Sequence, residues 1–473
     1  METGTVTPYA PFIVEVVGDV ERPRAALPAV DAYGHLPGSR KPLAGFWYLL
    51  DGALRGDAHF VDLVRRHGKV FRYALGPIPC VAVADPDLAM RIARNEDGVW
   101  SSAIAWRAFF DGINPRSATL DMPGSFDFAH HRDARRLLAP AFSPAAVARY
   151  TELALPIFER VVGTWIGRGR VDAKVGIRRL FALVAGRIFL GVEDDRRAEL
   201  FDEALAAYWR APTAVVKDPR LSPTWRRGIS AYAKLFDSLR PEVERRRALG
   251  GDDLFSRLCA TAGEIEWMDD DTLVRLFLGV MTAAFDTTSL AVTSLAHLLA
   301  THPDVQERLR DEARTVAPGR PTAEDTRRME LADRAFKETL RLYPVAPYFP
   351  RRALVDVDLG GHRIPAGSMV VVLVAAMMKD GSIYTRPEAF DPDRFAPERA
   401  EDRRHRGAYL PFGGGAHACL GAQLSTIEAK AFWHVLLTRA RFRLERPYEG
   451  VHRMTPLGCV SGDVALRFEP LSR

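Results

Sequence analysis

The chain has 473 residues, of which 47% are hydrophobic and 26% are charged, and its formal net charge is +5. This composition is typical of a globular protein with a large apolar core, and it argues against a disordered or fibrous chain. The four cysteines form no CxxC pair, which disfavours a disulfide framework and a clustered zinc or iron–sulfur site. The basic residues are not interleaved with aromatic ones, so we expect no nucleic-acid partner.

The N-terminal segment predicts no targeting signal. It has an acidic residue at position 2 and a charged break within its only apolar patch, which is not the pattern of a signal peptide. The longest apolar runs, LFLGVMTAAF and MVVVLVAAMM, are about half of the roughly 20 residues that span a bilayer. We therefore expect a cytoplasmic protein without a membrane anchor. Pro and Gly punctuation predicts an extended lead-in over residues 1–40, followed by a single domain over 41–473.

The remaining chain predicts helices with a smaller share of strands. VFRYALGPIPCVAVADP predicts a β-hairpin, and helical periodicity dominates from Leu88 to about Pro350, including a long helix over about 270–301. After Pro350, short β-type runs separated by GG and PAG turns lead into a coil. A strong helix, GAQLSTIEAKAFWHVLLTRA, and strands in RFRLERP and CVSGDVALRFEP follow. The pattern predicts a mainly α fold with a smaller β-rich region.

A glycine-rich loop, FGGGAHACLG, lies directly before that strong helix and contains Cys419. Its three consecutive glycines permit backbone conformations that other residues avoid, so the loop can lie close to a large planar ligand. The N-terminus of the following helix presents N–H groups and a partial positive charge, which favour a thiolate over a thiol. A lone cysteine is most often a buried structural residue, and this interpretation is kept for Cys80, Cys259 and Cys459.

The loop has the pattern F-G-x-G-x-H-x-C-x-G and resembles the haem-ligand signature of the cytochrome P-450 superfamily. The resemblance implies the cytochrome P-450 fold, in which a triangular helical domain holds haem between a long distal helix and the cysteine loop. It also implies haem b, which is iron protoporphyrin IX, with the thiolate of Cys419 as the axial metal ligand. Four other signature residues are expected to contact the haem, with a propionate at the histidine: Phe412, Gly413, His417 and Gly421.

Two further segments match the family away from the loop. In KETLRLYP, Glu338 and Arg341 are three residues apart and share one face of a helix. Taken alone, such a pair is usually a surface ion pair worth about 0.5 kcal/mol. The resemblance implies that Glu338, Arg341 and Arg394 of FDPDRF form a buried network behind the haem. A carboxylate shared by two guanidinium groups would fix the coil, and with it the cysteine loop, to the helix.

The long helix contains TAAFDTTSLAV, which resembles the oxygen-binding motif A-G-x-[DE]-T-T of the family. The resemblance implies that Asp286 and Thr287 are catalytic residues that deliver protons during oxygen activation. In an unrelated helix, Thr287 and Thr288 would be a threonine pair whose hydroxyls donate to backbone carbonyls of the preceding turn, and Asp286 would be an acid that caps or faces water. Two positions depart from the motif: Ala284 replaces the usual glycine and is expected to tighten the oxygen groove, and Phe285 is bulky and is expected to alter the packing.

Basic residues at three places match the family's propionate ligands. His131 and Arg135 in HHRDAR match an H-x-x-x-R pair on a helix near the haem, and Arg351 in RRALVDVDLGG matches a further ligand next to Arg352. The planar fork of arginine suits carboxylates. Each residue alone could be a surface charge, but as a set with His417 they favour propionate binding.

The resemblance implies a haem-dependent monooxygenase that uses O2 to hydroxylate or epoxidise an apolar small molecule. We expect no flavin or ferredoxin domain in the chain, so electrons from NAD(P)H would arrive through a separate ferredoxin or flavodoxin and its reductase. We also expect a monomer of the bacterial type. Four arginines flank the segments expected to contact haem and are candidates for a docking face toward an acidic redox partner: Arg132, Arg136, Arg404 and Arg406.

The resemblance also implies which segments form the substrate pocket. It would draw on SSAIAWRAFFDGIN, the helix around Met281 to Phe285, VAPYFP and PLGCV, whose apolar and aromatic character is compatible with a terpenoid, steroid, fatty-acid or polyketide skeleton. Two alternatives stay open at this point. One is a haem-thiolate peroxygenase or hydroperoxide isomerase, and the other is a non-catalytic haem binder used for sensing or sequestration.

Overall fold

Helices account for most of the described residues, which confirms the predicted class of a mainly α fold with a smaller β-rich region. The computed structural model describes residues 28, 30–39, 44–110, 123–211, 214, 216–454 and 457–471. Much of the predicted lead-in over 1–40 lies outside these residues. Its described part contains a 3-10 turn at Val30–Tyr33, and Tyr33 and Leu36 are buried in the same core cluster as the five-stranded sheet described below.

The predicted hairpin is confirmed near the start of the described chain. Its strands are β1 (Val70–Leu75) and β2 (Ile78–Val83), which pair antiparallel with Leu75 opposite Ile78. Gly76 closes the turn with a φ of 61°, a conformation that favours glycine. Three helices flank the hairpin: α1 (Ala44–Arg55), α2 (Ala58–His67) and α3 (Pro86–Arg94).

Helices between the hairpin and residue 350 build the body of the protein. Several begin where a side-chain oxygen caps the first turn, as Asp85, Ser143, Asp172 and Asp269 each accept a hydrogen bond from a backbone N–H. Their apolar faces meet in one large core. The helices are α4 (Ser102–Phe110), α5 (Phe128–Leu138), α6 (Pro144–Arg168), α7 (Ala173–Leu190), α8 (Asp195–Arg210), α9 (Pro223–Leu239), α10 (Glu242–Leu249), α11 (Leu254–Thr261), α12 (Asp270–Thr301), α13 (Pro303–Val316), α14 (Ala323–Arg328) and α15 (Glu330–Leu342).

The predicted long helix is α12, and it is the central element of the helical core. It packs against α7, α9 and α15, and apolar residues are buried around most of its circumference. By length and composition it is the one described helix that could cross a bilayer, yet 72% of its most apolar window is buried inside the protein. A helix that is apolar all round is expected at the centre of a large core.

Strands from distant parts of the chain form a five-stranded sheet with a second core. The strands that join β1 and β2 are β3 (Trp100–Ser101), β5 (Phe349–Ala353) and β8 (Met369–Val372). Their order is β1-β2-β8-β5-β3, with β8 parallel to β2 and the other pairs antiparallel. The short runs predicted after Pro350 are thus confirmed, together with a small hairpin of β6 (Val357–Leu359) and β7 (His362–Ile364).

The C-terminal part also follows the prediction. After α16 (Val374–Met377), a coil leads to the glycine-rich loop and then to α17 (Ala422–Leu437). The tail strands form two small sheets, one ordered β4-β12-β9 and one joining β10 to β11. Their bounds are β4 (Arg170–Asp172), β9 (Ala440–Leu444), β10 (His452–Met454), β11 (Gly458–Val460) and β12 (Ala465–Pro470).

Candidate functional site

The glycine-rich loop folds back on itself so that Cys419 stands at its end. The backbone N–H of Cys419 donates to the carbonyl of Phe412 at 2.9 Å. Gly413 and Gly415 have φ values of 68° and 63°, whereas Gly414 is extended. A Cβ at Gly415 would also lie 2.1 Å from the carbonyl oxygen of Ala93. The prediction that glycine is needed here is therefore confirmed for two of the three consecutive glycines.

The side chain of Cys419 faces a cavity of about 380 Å³ between the loop, α5, α7, α12 and α17. Burial raises the pKa of the Cys419 thiol, while the backbone N–H groups of Gly421 and Ala422 and the charge of Arg135 act to lower it. The two N–H groups and Arg135 thus lower the pKa of the thiol, as predicted, but burial raises it by more. An added Cβ at Gly421 would lie 3.9 Å from the sulfur, which is an ordinary van der Waals contact.

The other three cysteines have no comparable setting. Cys80 and Cys259 are buried, and burial raises the pKa of the Cys259 thiol to about 11. The Cys459 sulfur lies 3.6 Å from the Ser294 hydroxyl. All four cysteines are free. The structure thus agrees with the interpretation of Cys80, Cys259 and Cys459 as structural residues.

Two histidines stack beside the cysteine. The rings of His131 from α5 and His417 from the loop lie 3.9 Å apart, and both line the cavity. Burial, with the charges of Arg135 and Arg351, lowers the pKa of His131 to about 4 and holds the pKa of His417 well below its usual range. Both rings are therefore neutral near pH 7. The Nδ1 atom of His417 is buried without a hydrogen-bond partner, which leaves it available to a ligand.

Two arginines complete this group and are its charged members near pH 7; we call the four residues the cation cluster (His131, Arg135, Arg351 and His417). Arg135 lines the cavity and donates to the carbonyl oxygen of Ala418. Arg351 is buried beside the histidines without lining the cavity, and burial lowers the pKa of its guanidinium to about 10. The buried carboxylate of Asp127 lies 3.8 Å from Nε2 of His417, and its charge acts on Arg351, but no described carboxylate forms an ion pair with either arginine. The half-buried guanidinium of Arg135 and the buried one of Arg351 suit the two propionates of a haem.

The motif residues of α12 do not all face the same way. Thr287 and Thr288 line the cavity, and the Thr287 hydroxyl donates to the carbonyl of Ala283 at 2.7 Å. Ala284 also lines the cavity, whereas Phe285 is buried in the core. Asp286 does not line the cavity. Its carboxylate accepts a hydrogen bond from Arg178 of α7 at 2.9 Å.

The structure confirms the buried network expected of Glu338, Arg341 and Arg394. All three are fully buried, and the Glu338 carboxylate accepts hydrogen bonds at 2.7–2.8 Å from both guanidinium groups. Arg341 also donates to carbonyl oxygens of residues 378 and 387, which fixes the coil to α15. Sequence reasoning missed Glu401, which binds Arg394 at 2.7 Å. We call these four residues the ion network.

The cavity wall includes most of the predicted substrate segments. Val345, Ala346, Tyr348 and Phe349 of VAPYFP line it, as does Leu457. None of residues 101–107 of SSAIAWRAFFDGIN lines the cavity, so the prediction does not hold for that part of the segment; residues 111–114, and the side chains of 108–110, lie outside the described residues. Sequence reasoning missed one wall of the cavity, although a spacing of four residues on one helix face was there to indicate it. That wall is formed by Phe181, Ala185 and Phe189 of α7.

The cavity therefore brings together most of the predicted haem-contacting residues. Those that line it are His131, Arg135, Phe412, Gly413, His417, Cys419 and Gly421, together with Thr287 from α12. Arg351 and Asp286 lie behind this wall. The chemical roles predicted for these residues stay predictions.

Comparisons with known proteins agree with this arrangement. Residues 37–460 match the sequence profile of the cytochrome P-450 family. Cyclooctatin synthase of Streptomyces melanosporofaciens is 30% identical over 420 residues, which cover 85% of this chain and 88% of that protein. Pentalenene oxygenase of Streptomyces avermitilis is 26% identical over 428 residues, which cover 87% of this chain and 92% of that protein.

A solved structure has the same fold. It is a retinoic acid-bound cyanobacterial CYP120A1, which superposes with a TM-score of 0.80 at 21% identity and covers 89% of this chain and 96% of that one. At this identity the likeness shows the fold alone, and it confirms the predicted cytochrome P-450 fold. The match to the family profile spans nearly the whole chain and includes the loop of Cys419. The chain therefore belongs to the cytochrome P-450 family of haem-dependent monooxygenases.

Proposed function

We propose that this protein oxidises an apolar, polycyclic small molecule of the terpenoid class with a thiolate-ligated haem. The observation that supports this most directly is the cavity in which the sulfur of Cys419 meets the cation cluster and the hydroxyl of Thr287. The relative named pentalenene oxygenase favours a largely hydrocarbon substrate. The proposal also treats residues 41–473 as one domain, in line with the family match over 37–460.

The walls of the cavity support an apolar substrate. Phe181 and Phe189 of α7 and the Val345–Phe349 segment contribute aromatic and aliphatic surface. Such a cavity binds a ligand mainly through apolar contact, and its few polar groups orient the ligand. A rigid polycyclic skeleton loses little conformational entropy on binding, so shape alone can fix the carbon that is oxidised.

The residues at the base of the cavity would hold the haem. When bound, the haem supplies oxygen activation and one-electron redox chemistry. The Cys419 sulfur would ligate the iron, and Phe412 with Gly413 would contact the ring. The propionates would pair with the two arginines of the cation cluster, neither of which forms an ion pair with a described carboxylate.

Proton supply is the role that we propose for Thr287 and Asp286. The Thr287 hydroxyl donates to the Ala283 carbonyl, so its oxygen is left as an acceptor toward the cavity. A proton that reaches this oxygen can be passed on when the hydroxyl gives up its bond to Ala283. Asp286 directly precedes Thr287 on the helix and is the acid that we propose replenishes that proton.

Electrons would come from NAD(P)H through a ferredoxin or flavodoxin and its reductase. Four exposed arginines support a docking face for such an acidic protein: Arg132 and Arg136 on α5, and Arg404 and Arg406 in the coil before the cysteine loop. The Arg136 guanidinium forms an ion pair with the Asp133 carboxylate at 3.3 Å, and three quarters of the Arg136 side chain is exposed. Exposed charges of this kind mainly raise the rate of association.

The absorption spectrum of the reduced, CO-bound protein tests the haem ligand. We expect a Soret band at the position typical of thiolate ligation, and we expect Cys419→Ala to remove it. Cys459→Ala is the matched control, because Cys459 is a partly exposed cysteine that does not line the cavity. A band typical of histidine ligation that persists in Cys419→Ala would overturn the proposal. Spin-state shifts across a terpenoid panel would then test the substrate class.

A further inference from the structure

Arg178 of α7 lies between two carboxylates from different helices. Its Nε atom donates to Oδ1 of Asp286 on α12 at 2.9 Å, and its Nη2 atom donates to Oδ1 of Asp202 on α8 at 2.8 Å. The same Nη2 atom is 3.4 Å from the backbone oxygen of Asp202. The three side chains are 30%, 19% and 11% exposed in the order Arg178, Asp286 and Asp202. One guanidinium therefore forms ion pairs with two partly buried carboxylates.

The group carries more negative than positive charge when both acids are ionised. Burial, together with the charges of Asp286 and Glu203, raises the pKa of Asp202 to about 7 against the opposing charges of Arg178 and Arg210. These four groups, from α7, α8 and α12, are the charges that act most strongly on Asp202. Asp202 is therefore divided between its neutral and ionised forms near neutral pH.

The charge of Asp202 determines how Arg178 is shared. When Asp202 is neutral, it no longer competes as an anion, and the guanidinium pairs with Asp286 alone. When Asp202 is ionised, the same cation is divided between two carboxylates, and its attraction for Asp286 is weaker. Because Asp286 does not line the cavity in this arrangement, it must leave Arg178 before it can exchange a proton with Thr287.

We propose that Asp202 is a positioning residue for Asp286, which shares the guanidinium of Arg178 and so controls how firmly the Asp286 carboxylate is held away from the cavity. This inference rests on the proposed role of Asp286 in proton supply. Asp202 itself touches neither substrate nor cofactor. Its ionisation loosens the hold on Asp286 and speeds proton transfer, and its protonation tightens that hold.

The first test follows turnover against pH in the holoenzyme with a redox partner. Asp202→Asn keeps the shape of the side chain and imitates its neutral form. We expect the variant to match the wild type near pH 6 and to be slower by about two- to fivefold near pH 8, the range that a partly exposed ion pair of up to about 1 kcal/mol allows. Glu203→Gln removes the same charge from the adjacent exposed position. This variant should keep the wild-type change of turnover with pH, with the midpoint of that change at a slightly lower pH.

The second test reads the carboxyl group directly and needs no turnover. Infrared difference spectra between pH 6 and pH 8 should contain a protonated-carboxyl band that Asp202→Asn removes and Glu203→Gln retains. Asp202→Glu restores an ionisable group and should recover both the band and the pH step. If Asp202→Asn folds poorly, the Asp202→Glu spectrum still decides the point, since a longer acid at this position must shift the band if residue 202 is its source.

The outcomes separate this inference from the proposed function. An infrared band and a pH profile that Asp202→Asn leaves unchanged would overturn the positioning role. If Asp286→Asn instead leaves product formation coupled to NAD(P)H consumption, the proposed proton supply is wrong, whatever the spectra of Asp202 show. A band that is lost in Asp202→Asn, together with a flattened pH profile, supports the positioning role.

Discussion

The ion network and the cation cluster are both buried and both contain arginines, but they differ in where the counter-charge comes from. In the ion network, Arg394 binds Glu338 at 2.8 Å and Glu401 at 2.7 Å, so the protein supplies the anions. In the cation cluster, Arg351 is bonded to the carbonyl of Pro350 and has no described ion-pair partner. A buried charge without a partner is costly, so such a group marks a place where a ligand completes the structure.

Two buried glutamates illustrate the same difference in their pKa values. Burial alone would raise the pKa of Glu401, but hydrogen bonds from Arg399, the Thr385 N–H and Arg394 lower it to about 2. Glu428 lines the cavity near its base, and burial raises its pKa to about 8. No described group forms a hydrogen bond with the Glu428 carboxyl. Pairing therefore makes Glu401 a permanent anion, whereas Glu428 is mostly neutral at pH 7.

The largest expected effect comes from breaking the ion network. We predict that Glu338→Gln lowers the free energy of unfolding by about 3–5 kcal/mol, because Arg341 and Arg394 would then be buried with too little negative charge. Urea denaturation followed by circular dichroism measures the change. Haem content should fall with it, since the network fixes the coil that leads to the cysteine loop.

The matched control for this prediction is Glu398→Gln in the same coil. Glu398 is exposed, so its substitution should change the free energy of unfolding by no more than about 0.5 kcal/mol. Equal stabilities of the Glu338→Gln and Glu398→Gln variants would contradict the view that the ion network stabilises the fold.

The pH dependence of stability should have opposite signs at the paired and unpaired glutamates. The Glu428 carboxyl has an ordinary pKa of 4.5 that is raised to about 8 in the folded protein. It therefore costs stability progressively as pH rises from about 4.5 to about 8. We predict that Glu428→Gln has the stability of the wild type near pH 4.5 and exceeds it at pH 9 by about 2–5 kcal/mol.

Melting temperatures of the wild type and Glu428→Gln across this pH range test the prediction. Glu401 provides the contrast, since its lowered pKa contributes stability above about pH 4.5 that is lost as pH falls toward 2. The Glu401→Gln variant should therefore differ most from the wild type at neutral pH and converge with it in acid. A difference in melting temperature between the wild type and Glu428→Gln that is constant from pH 5 to pH 9 would show that the Glu428 carboxyl is paired.

The cation cluster should respond to substitution in the opposite direction from the ion network. We predict that Arg351→Met raises the unfolding free energy of the haem-free protein by about 1–3 kcal/mol, because an unpaired buried cation is replaced by an apolar chain of similar length. The same variant should retain less haem after purification. Arg363→Met, at a position whose side chain is 82% exposed, is the control and should change neither quantity. A haem-free protein destabilised by Arg351→Met would mean that the cation is paired within the protein.

Sequence reasoning recovered the part of the site that lies in short motifs. The signature around Cys419, the Glu338–Arg341 pair and the Thr287 position depend on spacings within one helix or loop, and each spacing is visible in the chain. Arg178 and Glu401 were missed because they meet their partners across 108 and seven residues, and only the fold brings them together. Likewise, the sequence placed Asp286 in the motif but could not show that its carboxylate faces away from the cavity.

The hairpin and the long helix were predicted with bounds close to those observed, because their periodicity and turn chemistry are local. The five-stranded sheet was not predictable in the same way. Its order joins β2 to β8, which lie about 300 residues apart in sequence, and no pattern in either strand specifies that pairing. Tertiary pairing of this kind depends on the packing of the helices around it.

The smallest expected effect concerns charges that are exposed to solvent. We predict that the double substitution Arg132→Glu and Arg136→Glu slows electron transfer from an acidic ferredoxin by about tenfold at low salt, because these exposed charges act on association rather than on stability. The difference should vanish at high salt, where exposed charges are screened. Arg196→Glu with Arg197→Glu on α8 alters the net charge equally, outside the segments that line the cavity, and should leave the rate unchanged. Stopped-flow reduction kinetics measure all three proteins, and equal rates at low salt would place the docking face elsewhere.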